Sequence, residues 1–215
     1  MHDPLEAEAE TADDKPPPPD AREWTYLVTP AFQTRYILAA HYLEPCEHIV
    51  EIGGYRTPIT RFLRTPKRSV TVLDPRVEPL ERDELLGQGC RVRHVQTLFQ
   101  DHHDWPAEYG LALLGLDFEL YELPRRRRQS VLDRFAPVVL GAHRIVIEIA
   151  RDWPASRWLA GWVMKQTGYD KVLQVTLDLK GDLGVDLSGS WPPFWRRTLM
   201  VLDRPGGGVQ AGAPA

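Results

Sequence analysis

His48-Ile-Val-Glu-Ile-Gly-Gly-Tyr-Arg-Thr-Pro58 is the stretch that decides the fold. Ile49, Val50 and Ile52 make a short apolar run rich in β-branched residues, as expected of a strand covered on both faces. Gly53 and Gly54 let the backbone turn through conformations that other residues resist. Thr57 is placed to cap a following helix, and Pro58 suits its first position, where no amide hydrogen is needed. A glycine turn at the end of a parallel strand is where open α/β sheets hold ligands.

Outward from that stretch, Ser69-Val-Thr-Val-Leu-Asp-Pro75 repeats the pattern of an apolar run ending in a carboxylate. Asp74 follows the glycine turn by about 20 residues, the interval at which dinucleotide folds set an acid on a ribose. A third strand is expected over Cys90 to Gln96, followed by Thr97, Leu98 and Phe99. A fourth lies between Tyr109 and Tyr121, with the core run Leu111 to Leu116 and Asp117, Phe118, Glu119 and Tyr121 at its exit. Arg144 to Ala150 reads as strand five, with Glu148 as a buried acid. Lys171 to Leu179 and Arg197 to Asp203 are joined by a Gly- and Pro-containing loop with no helical pattern, so they should close the sheet as an antiparallel pair.

At these residues the chain resembles the class I S-adenosylmethionine-dependent methyltransferases. Glu51 matches the acid after that family's first strand, Gly53 its first glycine, and Asp74 its ribose acid. Tyr55 and Thr57 stand where the family's E-x-G-x-G-x-G pattern has further glycines. The resemblance implies an α/β, Rossmann-like three-layer sandwich: a mostly parallel sheet of about seven strands with a final antiparallel strand. It implies S-adenosylmethionine as cofactor, with Glu51, Gly53, Gly54 and Tyr55 around its methionine end, Asp74 on the ribose, and Thr97 and Leu98 beside the adenine. Asp117, Glu119 and Tyr121 would face a small-molecule methyl acceptor. With Tyr55 and Thr57 closing the groove, the alternative is a catalytically inactive binding or scaffolding protein of the same fold. A nucleotide-dependent oxidoreductase fits less well, for want of a G-x-G-x-x-G.

Helices are expected from Thr29-Pro30 to Pro45, with Phe32, Tyr36, Ile37, Ala40 and Leu43 on one face. Others run from Pro58 to Leu63, Pro79 to Leu86, Pro124 to a stop at Pro137, and Pro154 to Gly168. Val131, Leu132 and Phe135 should bury one of these helices, and Trp158, Leu159, Trp162 and Val163 another. Trp24, Tyr26, Tyr36 and His41, and Trp191, Phe194 and Trp195, line an acceptor pocket or simply pack. Arg125 to Arg128 contact phosphate or form a solvated face. Asp101-His-His-Asp104 is the densest group of metal-ligand types. Adjacent ligands on one short loop rarely converge on one ion, so it reads as a polar loop, and no metal site is assigned.

The 215 residues carry a net charge of −4, but residues 1–22 hold seven acids and two bases and leave the rest at +1. A nearly neutral body argues against nonspecific nucleic-acid binding. Residues 1–22, ending in Pro16 to Pro19, read as a disordered leader, 23–203 as the methyltransferase-like domain, and 204–215 as a flexible tail. Cys46 and Cys90 would precede strands one and three of the resembled sheet, which another strand separates, so no disulfide is expected. With no signal pattern and no apolar run of about 18 residues, a cytoplasmic protein without a membrane span is expected. A protein partner or homodimer is left open.

Overall fold

The computed structural model describes residues 30–53, 59–63, 67–75, 92–114, 123–150, 154–178 and 196–206. Among them, seven strands form one sheet: β1 (His48–Ile52), β2 (Ser69–Leu73), β3 (Val92–Val95), β4 (Tyr109–Leu113), β5 (Ala142–Ala150), β6 (Asp170–Asp178) and β7 (Arg196–Asp203). Their order is β3-β2-β1-β4-β5-β7-β6. The first five pair in parallel, and β7 runs antiparallel to both β5 and β6. The architecture and the closing antiparallel strand are those expected from the sequence.

Among the described residues, three α-helices cover the two faces. α1 (Pro30–Leu43) and a short 3-10 turn at Ile59–Phe62 lie on one; α2 (Arg125–Gly141) and α3 (Pro154–Thr167) lie on the other. The period-2 alternation of the strands sorts side chains between these layers. Ile49 of β1 and Val146 of β5 pack with Tyr36, Ala39, Ala40 and Leu43 of α1. Val50, Ile52, Ile145 and Ile147 pack with Phe135, Val139, Leu159 and Val163. No helix among the described residues is long and apolar enough to cross a membrane.

Two expectations need correction. Ile37 is 46% exposed, and the buried stripe of α1 is Tyr36, Ala39, Ala40 and Leu43, with Arg35 beside it. At 100° per residue, position 37 falls well outside the arc these residues share. Pro137 does not stop α2, which runs on to Gly141. Proline removes one intrahelical bond, to the carbonyl of Asp133. Both residues are exposed, so water can replace that partner.

The helix ends where its last carbonyls find other donors. Tyr109 Oη donates to Val138 O at 2.6 Å, and Arg204 Nη2 to Leu140 O at 2.7 Å and Gly141 O at 3.2 Å. A cation at a helix carboxyl end is also favoured by the helix dipole. α3 closes as expected, with Gly168 at φ 63° donating to Met164 O at 2.9 Å.

β4 lies tight against the end of α1. A Cβ built on Gly110 would sit 2.6 Å from Cys46 Sγ and 2.6 Å from Leu43 Cδ2, both fully buried residues. Gly110→Ala should therefore cost about 1–3 kcal/mol through overpacking. Urea denaturation would register this as a lower midpoint at unchanged slope; an unshifted midpoint would mean the contact yields freely.

Candidate functional site

The carboxyl edge of the sheet is built by three backbone ties. Gly53, at φ 88°, donates its amide to Leu73 O at 2.9 Å, which folds the exit of β1 across the end of β2. Asp74 donates its amide to Val95 O at 3.3 Å, and Thr97 donates to the same carbonyl at 3.0 Å. Glu51 and Gly53, Asp74, and Thr97 with Leu98 thus share one rim. β1 sits between β2 and β4, and the chain leaves it in one direction and returns on the other side. That reversal opens the crevice in which doubly wound sheets bind ligands.

Glu51 is completely buried on the α1 side of β1. Its Oε2 accepts the Ile59 amide at 2.8 Å, while Oε1 has no hydrogen-bond partner. Burial pushes this carboxyl up to about 8; the Ile59 amide opposes the shift, Asp74 adds to it and Arg35 opposes it. At neutral pH Glu51 is mostly protonated, a neutral acid at the base of the rim. Asp74 is also buried, just beyond the end of β2.

A third buried acid, two strands away from Glu51 on the same face of the sheet, is in the opposite state. Glu148 of β5 receives a two-pronged contact from Arg35 of α1 and a further bond from Arg197 of β7 at 3.0 Å. Burial alone would raise the Glu148 carboxyl, but the two guanidiniums win and hold it below the ordinary carboxylate range. Arg35 and Glu148 are 113 residues apart, and sequence reading did not join them. Its signal was an arginine on a buried helix face and a glutamate inside Ile-Val-Ile-Glu-Ile.

The structure brings together Glu51, Gly53, Asp74, Thr97 and Leu98. Gly54, Tyr55, Thr57, Asp117, Glu119 and Tyr121 lie outside the described residues, as do Trp24, Tyr26, Trp191, Phe194, Trp195 and the expected Pro79–Leu86 helix. Thr97 Oγ1 donates to Leu98 O at 3.3 Å, and the Leu98 side chain is exposed. Phe99 instead packs on Phe135, with ring centroids 4.8 Å apart. Tyr36 is buried and stacked on Phe62, while His41 is exposed.

The acids of the Asp101–Asp104 loop are engaged by neighbouring arginines. Asp101 pairs with Arg134, Asp104 with Arg93, and the buried His102 ring contacts Asp104 O at 3.1 Å. Burial holds the His102 imidazole below its ordinary value, against the Asp104 carbonyl. Arg125, Arg126 and Arg127 are exposed, whereas Arg128 donates to Leu123 O and lies over the Trp158 ring. Burial pushes the Cys46 thiol up to about 11, which makes it a poor nucleophile.

The edge so described belongs to a fold with solved relatives. The N-methyltransferase NodS of Bradyrhizobium japonicum WM9, in complex with S-adenosylhomocysteine, is similar at a TM-score of 0.56 and 15% identity, over 86% of this chain and 93% of that one. The 1,6-didemethyltoxoflavin-N1-methyltransferase of Burkholderia thailandensis, with 1,6-didemethyltoxoflavin and S-adenosylhomocysteine bound, is similar at 0.55 and 19%, over 85% and 82%. The magnesium protoporphyrin IX methyltransferase of Synechocystis PCC 6803, with S-adenosylmethionine bound, is similar at 0.54 and 11%, over 81% and 80%. No family model matches the chain, and no curated protein does. The chain has the fold of the class I S-adenosylmethionine-dependent methyltransferases.

Folded Glu51 keeps its proton to about pH 8, whereas the unfolded residue loses it near 4.5. Between those values the native state binds more protons, so this residue's contribution to stability falls as pH rises. Glu51→Gln has no such loss. Its urea midpoint should gain on the wild type from about pH 4.5 to about pH 8 and then hold level; a pH-independent difference would refute the assignment. Glu148→Gln should cost about 3–5 kcal/mol by leaving two buried guanidiniums without an anion. A thermal midpoint close to wild type would show that Arg35 and Arg197 find other partners.

Proposed function

We propose that the chain is an S-adenosylmethionine-dependent methyltransferase acting on a small molecule. The observation that carries this reading is the placement of Glu51, Gly53 and Asp74 on one rim at the switch point of the sheet. The residues fit the cofactor: Glu51 Oε1 lacks a partner, and a second buried acid ends the neighbouring strand. Solved proteins of this fold that hold S-adenosylmethionine or its demethylated product support the choice of ligand. The bound 1,6-didemethyltoxoflavin of one of them supports a small acceptor.

Asp74 would accept the two ribose hydroxyl hydrogens. Glu51, with Gly53, Gly54 and Tyr55, would hold the methionine end, and Thr97 and Leu98 would border the adenine. S-adenosylmethionine, when bound, supplies an electrophilic methyl group on a sulfonium. The chain's work is then to align the acceptor, exclude water and receive a proton where the acceptor loses one. Asp117, Glu119 and Tyr121, which follow β4 in the sequence, would face the acceptor; a carboxylate among them can take that proton. Residues 23–203 would form the catalytic unit, with 1–22 as leader and 204–215 as tail. A cytoplasmic setting belongs to this reading and suits the free Cys46 thiol.

Calorimetric titration with S-adenosylmethionine should give micromolar binding. Asp74→Ala should weaken it by roughly ten- to a hundredfold, the worth of about 1.5–3 kcal/mol for hydrogen bonds to a charged group. No heat at millimolar ligand would overturn the proposal and favour an inactive binding or scaffolding protein.

A further inference from the structure

We propose that Glu51 releases its proton to solvent when S-adenosylmethionine binds, so that cofactor capture by this chain is coupled to pH. The inference rests on the reading of the rim as a cofactor site. Glu51 is completely buried, with one oxygen committed to the Ile59 amide and the other unpartnered. Among the described residues, the groups packed around it give a negative charge there little support. Asp74, at the end of β2, repels a second anion. Arg35 of α1 favours ionisation there, but it is engaged by Glu148 of β5, which also takes Arg197 of β7. β4 contributes only Ala112 at the register position beside Glu51. Among the described groups, the Ile59 amide alone donates a hydrogen bond to the carboxyl.

An ammonium and a sulfonium arriving at this rim reverse that balance. The ligand brings two cationic centres against its own single carboxylate, and the methionine end that carries this net positive charge is the part set against Glu51, with Asp74 given to the ribose. Ionising Glu51 pairs the surplus charge, and the open Oε1 is the atom available to meet it. The proton passes to buffer and no other bond changes. S-adenosylhomocysteine lacks the sulfonium charge and should drive less release.

The test is calorimetric titration of the full chain with S-adenosylmethionine at pH 7, in phosphate and in Tris, buffers of low and high ionisation enthalpy. Wild type should bind with a buffer-dependent enthalpy equivalent to release of close to one proton. Its affinity should tighten by up to about tenfold per pH unit from pH 6 to about 8. Glu51→Gln should lose that release, keeping at most the small proton uptake of the ligand's amine. The ligand's own amine titrates near pH 8 as well. Holding that amine protonated takes up protons, the opposite sign, so the wild-type measurement stands alone if the variant does not fold. Binding with no buffer dependence, or with proton uptake, overturns this inference and leaves the proposed function intact. Absence of binding at every pH removes both.

Discussion

One carboxylate held by two guanidiniums fixes the geometry on which the carboxyl edge depends. Glu148 joins α1 through Arg35 and β7 through Arg197, so a helix and two strands converge on one buried anion. Such clusters are weak contributors to net stability, because removing the charges from water offsets most of their attraction. What this one specifies is register. Arg197 lies opposite Ala150 on β5, two positions beyond Glu148. A slip of β7 by one residue would turn Arg197 to the other face, among the apolar side chains under α2 and α3. The same anion holds α1 over the face that carries Glu51.

Two buried glutamates on that face are thereby driven apart in ionisation. Glu148 is held charged by its arginines, and Glu51, beside Asp74 with one amide for support, is held neutral. Identical side chains acquire different chemistry from their surroundings alone. The neutral one stands at the base of the rim proposed as the cofactor site. The charged one stands behind it as framework.

The sheet was largely readable because its strands are short apolar runs whose ends carry glycines and acids. Asp74, the acid proposed for the ribose, was singled out by counting from Gly53, and the closing pair by the absence of a helical pattern between Lys171 and Arg197. The misreadings have local causes. Pro137 breaks a helix by the ordinary rule, yet its missing bond faces solvent, and Tyr109 and Arg204, distant in sequence, terminate α2 instead. Ile37 was drawn into the stripe by hydrophobicity, while Arg35, excluded by its charge, is the residue that faces inward. Its partner lies 113 residues away, a separation that no periodicity encodes.

The place of β7 bears on how the chain comes to be assembled. β7, the last of the described strands in sequence, lies between β5 and β6, so β6 has no described neighbour to join until its successor is present. During synthesis, which proceeds from the amino end, β5 is left as an open border and β6 as an unattached ribbon until residues past 196 emerge. Unpaired borders of that kind invite pairing with other molecules. The exposure ends only when both flanks of β7 zip at once, so the sheet cannot be completed before β7 is made.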